Sequence, residues 1–178
     1  EIYTLSLHDA LPISPVIDAS GDSNKKITNT GTLQAINDTA VAIQSGKGND
    51  TIDISQGITS GVINTGEGKD TFNWQSGTFA GEVNFAGTGG NNKANIGNVT
   101  LDKTRHITTE AGSGNALTFT NTHGNSAKIG SLSSDNLTTG TNIGMGWDSL
   151  TISGSSADMR IVDRLQLASK TIAVTNGA

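Results

Sequence analysis

The chain has 178 residues, of which 16 are acidic and 11 basic, giving a formal net charge of -5. A surface that binds phosphate needs clustered Lys and Arg, so this composition argues against nucleic acid and anionic lipid as partners. No cysteine is present, which excludes a disulfide framework and a Cys-ligated metal. The 23 glycines, 2 prolines and 4% aromatic content are typical of a repetitive β scaffold with many turns.

Residues 1–14 differ in composition from everything that follows. They lack the Gly, Asn and Thr bias of the rest and resemble the translation of a sequencing adapter. We therefore predict that this segment is not native and leave it out of the fold, together with the adjacent pair His8 and Asp9. Without it, residues 15–178 carry 14 acidic and 11 basic residues, a net charge of -3.

From Lys26 onward, apolar and polar residues alternate in short runs separated by turns, as they do in β-strands. The first runs are residues 26–33, with a corner at Gly31, and residues 40–44. Residues 18–24 are polar and turn-like, and we expect a loose or partial coil there. No window shows the 3.6-residue spacing of an amphipathic helix.

A clear internal repeat follows. Residues 46–54 read GKGNDTIDI, and residues 66–74, twenty positions later, read GEGKDTFNW. Ile43, Ile63 and Val83 recur at the same spacing, each followed by an amide residue. A period of about twenty residues with strand character is typical of one coil of a β-solenoid.

The alternation within the repeat predicts which side chains face inward. Ile52 and Ile54 lie on one side of the pleat and Thr51 and Asp53 on the other; in the next coil Phe72 and Trp74 are predicted inside, with Thr71 and Asn73 outside. Because coils stack at about 4.8 Å, equivalent residues should form ladders. Predicted pairs in these ladders are Asn64 with Asn84, and Asp53 with Asn73.

Beyond residue 92 the period loosens, but strands remain recognisable. We predict strands at residues 94–101, 106–109, 116–120, 127–132 and 147–152, with a longer polar loop at residues 131–146. The apolar alternation continues through residue 174 to the end, so we expect the array to continue in the intact gene.

The repeats at residues 63–71 (INTGEGKDT) and 140–152 (GTNIGMGWDSLTI) resemble the passenger region of adhesin-type autotransporters of Gram-negative bacteria. The resemblance covers residues 26–178 and rests on repeat texture. It implies an all-β, right-handed parallel β-helix displayed on the cell surface. Residues 15–178 would be a passenger fragment truncated at both ends, whose signal peptide and C-terminal membrane barrel belong to the full protein.

The same resemblance implies a role as stalk and adhesin in cell adhesion, aggregation or biofilm formation, and hence in virulence. The expected partner is a ligand on a host or bacterial cell surface, or a second copy of the protein. Membrane attachment would come only through the missing barrel, and no cofactor is implied.

Calcium binding is one alternative interpretation of the turns. Gly-x-Gly-x-Asp followed by a strand is half of the repeat that binds Ca²⁺ in β-rolls, but there the motif recurs every nine residues. Here it recurs at twenty, which would leave Asp50 and Asp70 as the main ligands. Aspartates that bond their own turn backbone are the simpler interpretation, and we assign no metal residues.

Polysaccharide cleavage is a second alternative, since parallel β-helices host such enzymes and stacked carboxylates about 5 Å apart match a retaining mechanism. Only Asp50 and Asp70 fit this spacing, and we predict no catalytic residues. His106 and His123 have no partner at ligand spacing and are expected at the surface. Trp74 and Trp147 could be sugar platforms if exposed, but their place in apolar runs favours the core.

Overall fold

The computed structural model describes residues 2–5, 15–86, 90–99, 106–109, 113–124, 147–159 and 171–175. These residues form short strands and turns, and no helix occurs among them. In this part of the chain no helix is therefore long and apolar enough to cross a membrane.

The strands stack in parallel into three main sheets, with neighbours in a sheet coming from successive coils. Sheet A contains β1 (Ile2–Leu5), β3 (Lys26–Asn29), β6 (Thr51–Ile54), β9 (Thr71–Trp74), β12 (Lys93–Gly97), β14 (Ala116–Thr120), β16 (Ser149–Ser153) and β18 (Thr171–Thr175). Sheet B contains β2 (Ile17–Ala19), β5 (Val41–Ser45), β8 (Val62–Gly66), β11 (Glu82–Phe85) and β13 (His106–Thr109). Sheet C contains β4 (Thr32–Gln34), β7 (Ile58–Ser60) and β10 (Thr78–Ala80), and β15 (His123–Gly124) pairs separately with β17 (Asp158–Met159).

This arrangement is a parallel β-solenoid of about five turns, which confirms the predicted fold class. Ile63 pairs with Ile43 on one side and with Val83 on the other, so the three residues predicted to stack do so. The predicted period of twenty holds between these coils, whereas the average coil is near 23 residues. The first pairing in sheet B, Ile17 with Ile43, spans 26 positions because residues 35–40 form a longer corner.

The interior is a narrow column of apolar side chains, as the alternation predicts. In sheet A the inward residues Ile27, Ile52, Phe72, Ala94 and Leu117 lie over one another and are each at most 2% exposed. Phe79 of sheet C packs across the column, with its ring centroid 5.5 Å from that of Phe72 and 5.6 Å from that of Trp74. Burial of these side chains is the main favourable term that holds the coils together.

Glycine is required where neighbouring turns touch. Gly66 has φ +83°, and a Cβ at this position would overlap the carbonyl oxygen of Gly46 in the coil before. Gly68, with φ +137°, approaches the Gly48 carbonyl oxygen in the same way. The Gly-x-Gly turns of the repeat therefore serve the close stacking of backbone on backbone.

Most predicted strands have their counterparts in the structure. Residues 106–109 and 116–120 match β13 and β14 to the residue, whereas the strand predicted at 127–132 and the loop at 131–146 lie outside the described residues. The loose or partial coil predicted at residues 18–24 contains the end of the short strand β2, which pairs with β5, and bends in the residues after it. Ile2–Leu5 pairs with β3; that residues 1–14 are not native stays a prediction.

Candidate functional site

A column of polar side chains lies immediately before the strands of sheet A and links five coil steps. In each step, a side-chain oxygen accepts a hydrogen bond from the backbone N–H of the equivalent residue one coil earlier. The bonds run from Lys25 N to Asp50 Oδ1 (2.7 Å), Asp50 N to Asp70 Oδ1 (2.8 Å), Asp70 N to Asn92 Oδ1 (2.9 Å), Asn92 N to Asn115 Oδ1 (2.9 Å) and Asn115 N to Asp148 Oδ2 (2.9 Å). We call these six residues the buried ladder.

The ladder satisfies backbone donors that the strands do not pair. Asp50, Asp70, Asn92 and Asn115 are at most 1% exposed, and Lys25 is 5% exposed. An unpaired N–H at such a site would cost about 1–3 kcal/mol. The side-chain oxygens therefore fix the height of each coil relative to the next.

Asp50 has both carboxylate oxygens engaged. Its Oδ1 accepts a hydrogen bond from the Lys25 N–H, and its Oδ2 accepts one from the Ser45 hydroxyl. The carboxylate is thus held between a backbone donor of the coil before and a side-chain donor of its own coil. The role is structural, but the backbone that Asp50 bonds is that of the neighbouring coil, whereas the sequence predicted a bond to the backbone of its own turn.

Asp70 is one coil further and is less well satisfied. Thr65 takes the place of Ser45, but neither its Oγ1 nor Oδ2 of Asp70 has a hydrogen-bond partner, and both atoms are buried. Burial raises the pKa of Asp70 from 3.8 to about 6, against the opposing effects of the Asp50 N–H and the nearby Thr65 hydroxyl; the Asp50 charge adds to the rise. Ionisation of Asp70 is therefore unfavourable in this buried site.

This geometry decides how Asp50 and Asp70 can act. Three of their four carboxylate oxygens accept hydrogen bonds within the protein, and both side chains are buried. A Ca²⁺ ion needs six to eight oxygen ligands, and a glycosidic oxygen must reach the carboxyl group. The pair considered for both chemistries is instead part of the backbone support.

A second polar column lies on the outer face of sheet B and is half-buried. Asn64 donates from Nδ2 to Gln44 Oε1 at 3.0 Å, and Asn84 donates to Asn64 Oδ1 at 3.3 Å. The hydroxyl of Thr108 donates to Asn84 Oδ1 at 3.1 Å. The predicted stacking of Asn64 and Asn84 is confirmed, and the column continues over four coils.

A third column follows the outer face of sheet A. Asn73 donates from Nδ2 to Asp53 Oδ1 at 2.6 Å, and Asn95 donates to Asn73 Oδ1 at 2.8 Å. Lys26 lies 3.8 Å from Asp53 as an ion pair. The predicted pairing of Asp53 with Asn73 is confirmed. The column on sheet A presents a carboxylate and amides one coil apart, and the column on sheet B presents amides and a hydroxyl.

Both tryptophans lie in the core, as predicted. Trp74 and Trp147 are each 2% exposed, and their indole N–H groups donate to the carbonyl oxygens of Gly77 and Ile107. Trp147 packs edge-on against Phe85 with ring centroids 5.5 Å apart. Neither ring is available as a sugar platform.

The remaining candidates are decided less directly. His106 begins β13 and His123 begins β15, but the exposure of their side chains lies outside what the structure describes. His8 and Asp9 lie outside the described residues altogether. The prediction that the histidines are at the surface stays a prediction.

Sequence reasoning did not recognise the later half of the buried ladder. Asn92 and Asn115 belong to it although no Gly-x-Gly-x-Asp motif marks them, whereas Asp148 ends such a motif at residues 144–148, which aligns with residues 66–70. The signal was present: each of these residues directly precedes the first residue of a sheet A strand, as Asp50 and Asp70 do. Aligning the strand starts instead of the turns would have found them.

The chain was compared with known protein families, curated proteins and solved structures. None of them matches it.

Proposed function

We propose that the chain is part of a secreted passenger of an adhesin-type autotransporter, displayed on a Gram-negative cell surface. In this role the solenoid is a rigid stalk and its outer polar columns are the adhesive surface. The observation that carries the proposal is the pair of ordered columns on the outer faces of sheets A and B, whereas the inward side chains of the described coils form the apolar core.

These columns suit shallow, repeated contacts. Each presents half-buried amide or hydroxyl groups at one-coil spacing, and neighbours along a column hold one another in place. A pre-ordered side chain loses less entropy on binding than a free one, and many weak contacts combine when copies are displayed together. A polar ligand on a cell surface, or the same face of another copy, fits this chemistry.

Surface display tests the proposal. The full chain would be displayed on bacteria through a heterologous anchor, and attachment to host cells and settling of the culture would be measured against the anchor alone. We expect the displayed chain to increase attachment or settling. Asn64→Lys places a long charged group in the column on sheet B, and Asn73→Lys does so in the column on sheet A. Whichever column binds, the variant in that column should reduce the attachment or settling.

The matched control is Lys47→Ala, an exposed residue of a turn that belongs to neither column. Equal behaviour of the displayed chain and the anchor alone would refute the adhesive role. The secretion route has a separate test: the complete reading frame should encode a membrane barrel after the passenger, and another kind of ending would contradict the autotransporter assignment.

A further inference from the structure

The corner between sheets C and B is enlarged in one coil. In the later coils a single residue, Gly61 or Gly81, separates the sheet C strand from the sheet B strand. Between β4 and β5 the same corner holds residues 35–40. Ala35 is buried in the core and Ala40 packs against it, whereas residues 36–39 project between them and are exposed; Ile36 is 61% exposed.

The projecting corner contains the tripeptide Asn37-Asp38-Thr39, and all three residues are exposed. Asn-x-Ser/Thr, with x other than proline, is the acceptor pattern for N-glycosylation, and a usable acceptor must lie in an accessible surface loop. The same pattern occurs at Asn49-Asp50-Thr51, Asn98-Val99-Thr100 and Asn136-Leu137-Thr138.

The side chain of Asn37 is oriented by its own turn. Its Oδ1 accepts from the Thr39 N–H at 3.0 Å, the Thr39 hydroxyl at 2.8 Å and the Ala40 N–H at 2.8 Å. With Oδ1 held inward, Nδ2 is directed away from these donors, and it makes no hydrogen bond to another described residue. Within the described residues, no hydrogen bond ties Asn37, Asp38 or Thr39 to a neighbouring coil.

The site at Asn49 is built in the opposite way. Asn49 accepts the Lys69 N–H on Oδ1 at 2.9 Å and donates its own N–H to Asn24 Oδ1 at 2.8 Å. The next residue, Asp50, is 1% exposed within the buried ladder, and Thr51 begins β6. An enzyme could bind this tripeptide only after a strand has been lifted out of the solenoid.

We propose that Asn37 is an N-glycosylation site, modified by a glycosyltransferase that takes a sugar from a sugar diphosphate donor. Nδ2 of Asn37 attacks the anomeric carbon, and an Nδ2–C1 bond forms while the C1–O bond to the diphosphate breaks. The diphosphate leaves with the electron pair, and the amide nitrogen loses one proton to the enzyme. The Thr39 hydroxyl positions the amide for this attack, and the middle residue Asp38 stays in solvent.

The test uses the folded full chain, a soluble N-glycosyltransferase and UDP-glucose, followed by mass spectrometry of tryptic peptides. Cleavage after lysine and arginine separates the four sites into peptides 27–47, 48–69, 94–103 and 129–160. We expect one added hexose on peptide 27–47, at an extent at least about tenfold above that of peptide 48–69, because lifting β6 is costly.

Three variants and one unfolded sample complete the design. Asn37→Gln and Thr39→Val should lose the hexose on peptide 27–47, Asn49→Gln should keep it, and circular dichroism checks that each variant folds. The heat-unfolded chain should be modified on both peptides 27–47 and 48–69. The proposal is overturned if peptide 27–47 stays unmodified in the folded or the unfolded chain, or if the folded chain carries hexose equally on both peptides.

Discussion

The backbone N–H of Asp50 donates to Oδ1 of Asp70, which lies twenty residues later and one coil further along, at 2.8 Å. The same kind of hydrogen bond recurs along the buried ladder, where the neutral amide oxygens of Asn92 and Asn115 accept the backbone N–H of the coil before. A carboxylate is therefore not required at this position. What the coil needs is a side-chain oxygen at this height.

Asp70→Asn should stabilise the chain near neutral pH. The amide keeps Oδ1 for the Asp50 N–H and places an N–H donor where Oδ2 now lies unpaired near Thr65. Since the pKa of Asp70 is raised from 3.8 to about 6, ionisation of this group costs on the order of 2–3 kcal/mol above pH 6. Chemical denaturation at pH 7.5 should give a gain in unfolding free energy of up to this size.

The raised pKa of Asp70 also predicts how the stability of the chain changes with pH. The folded chain binds the Asp70 proton more tightly than the unfolded chain, so this group adds stability as pH falls from above 6 towards 4. The Asp70→Asn variant should lack that gain, whereas Asp53→Asn, on the outer face of the same sheet, should retain it. Parallel pH profiles for the unmutated chain and Asp70→Asn would contradict the assignment of the buried charge.

Asn92→Ala should destabilise the chain by about 2–4 kcal/mol, because it removes the acceptor of the Asp70 N–H and the donor to the Thr109 hydroxyl in a fully buried site. The matched control is Asn95→Ala, three residues later on the outer face. It removes only the half-buried hydrogen bond from the Asn95 side-chain amide to Asn73 and should cost less than about 1 kcal/mol. Equal losses of unfolding free energy for the two variants in urea denaturation would show that the buried ladder contributes no more to stability than the outer column.

Added Ca²⁺ should not raise the melting temperature. Both carboxylate oxygens of Asp50 already accept hydrogen bonds from protein donors, and so does one oxygen of Asp70. Thermal unfolding would be followed with Ca²⁺, with Mg²⁺ at equal ionic strength, and with a chelator. A rise with Ca²⁺ alone, reversed by the chelator, would restore the β-roll interpretation of these turns.

The two coils between residues 43 and 83 could be predicted because their strands, turns and period all agree. Alternation placed Ile52 and Phe72 inside, and Gly-rich turns twenty residues apart set the register. The rest of the ladder was hidden by corner length: the pairings of Phe72 with Ala94 and Leu117 with Leu150 span 22 and 33 residues. Longer loops change the number of residues between stacked positions without changing which strands stack. A hydropathy pattern also cannot show that a polar side chain such as Asn92 is buried.

Phe79→Ala tests whether sheet C closes the apolar column. Phe79 is fully buried against the rings of Phe72 and Trp74, so truncation should cost about 3–5 kcal/mol in unfolding free energy. Phe79→Leu should cost less, about 1–2 kcal/mol, because most of the volume is kept. Ile58→Ala is the control on neighbouring strand β7; its side chain is 47% exposed and its loss should stay within about 0.5 kcal/mol. Since Phe79 and Ile58 are both on sheet C, a similar cost for Ile58→Ala and Phe79→Ala would mean that general strand pairing, and not the aromatic contact, holds this sheet in place.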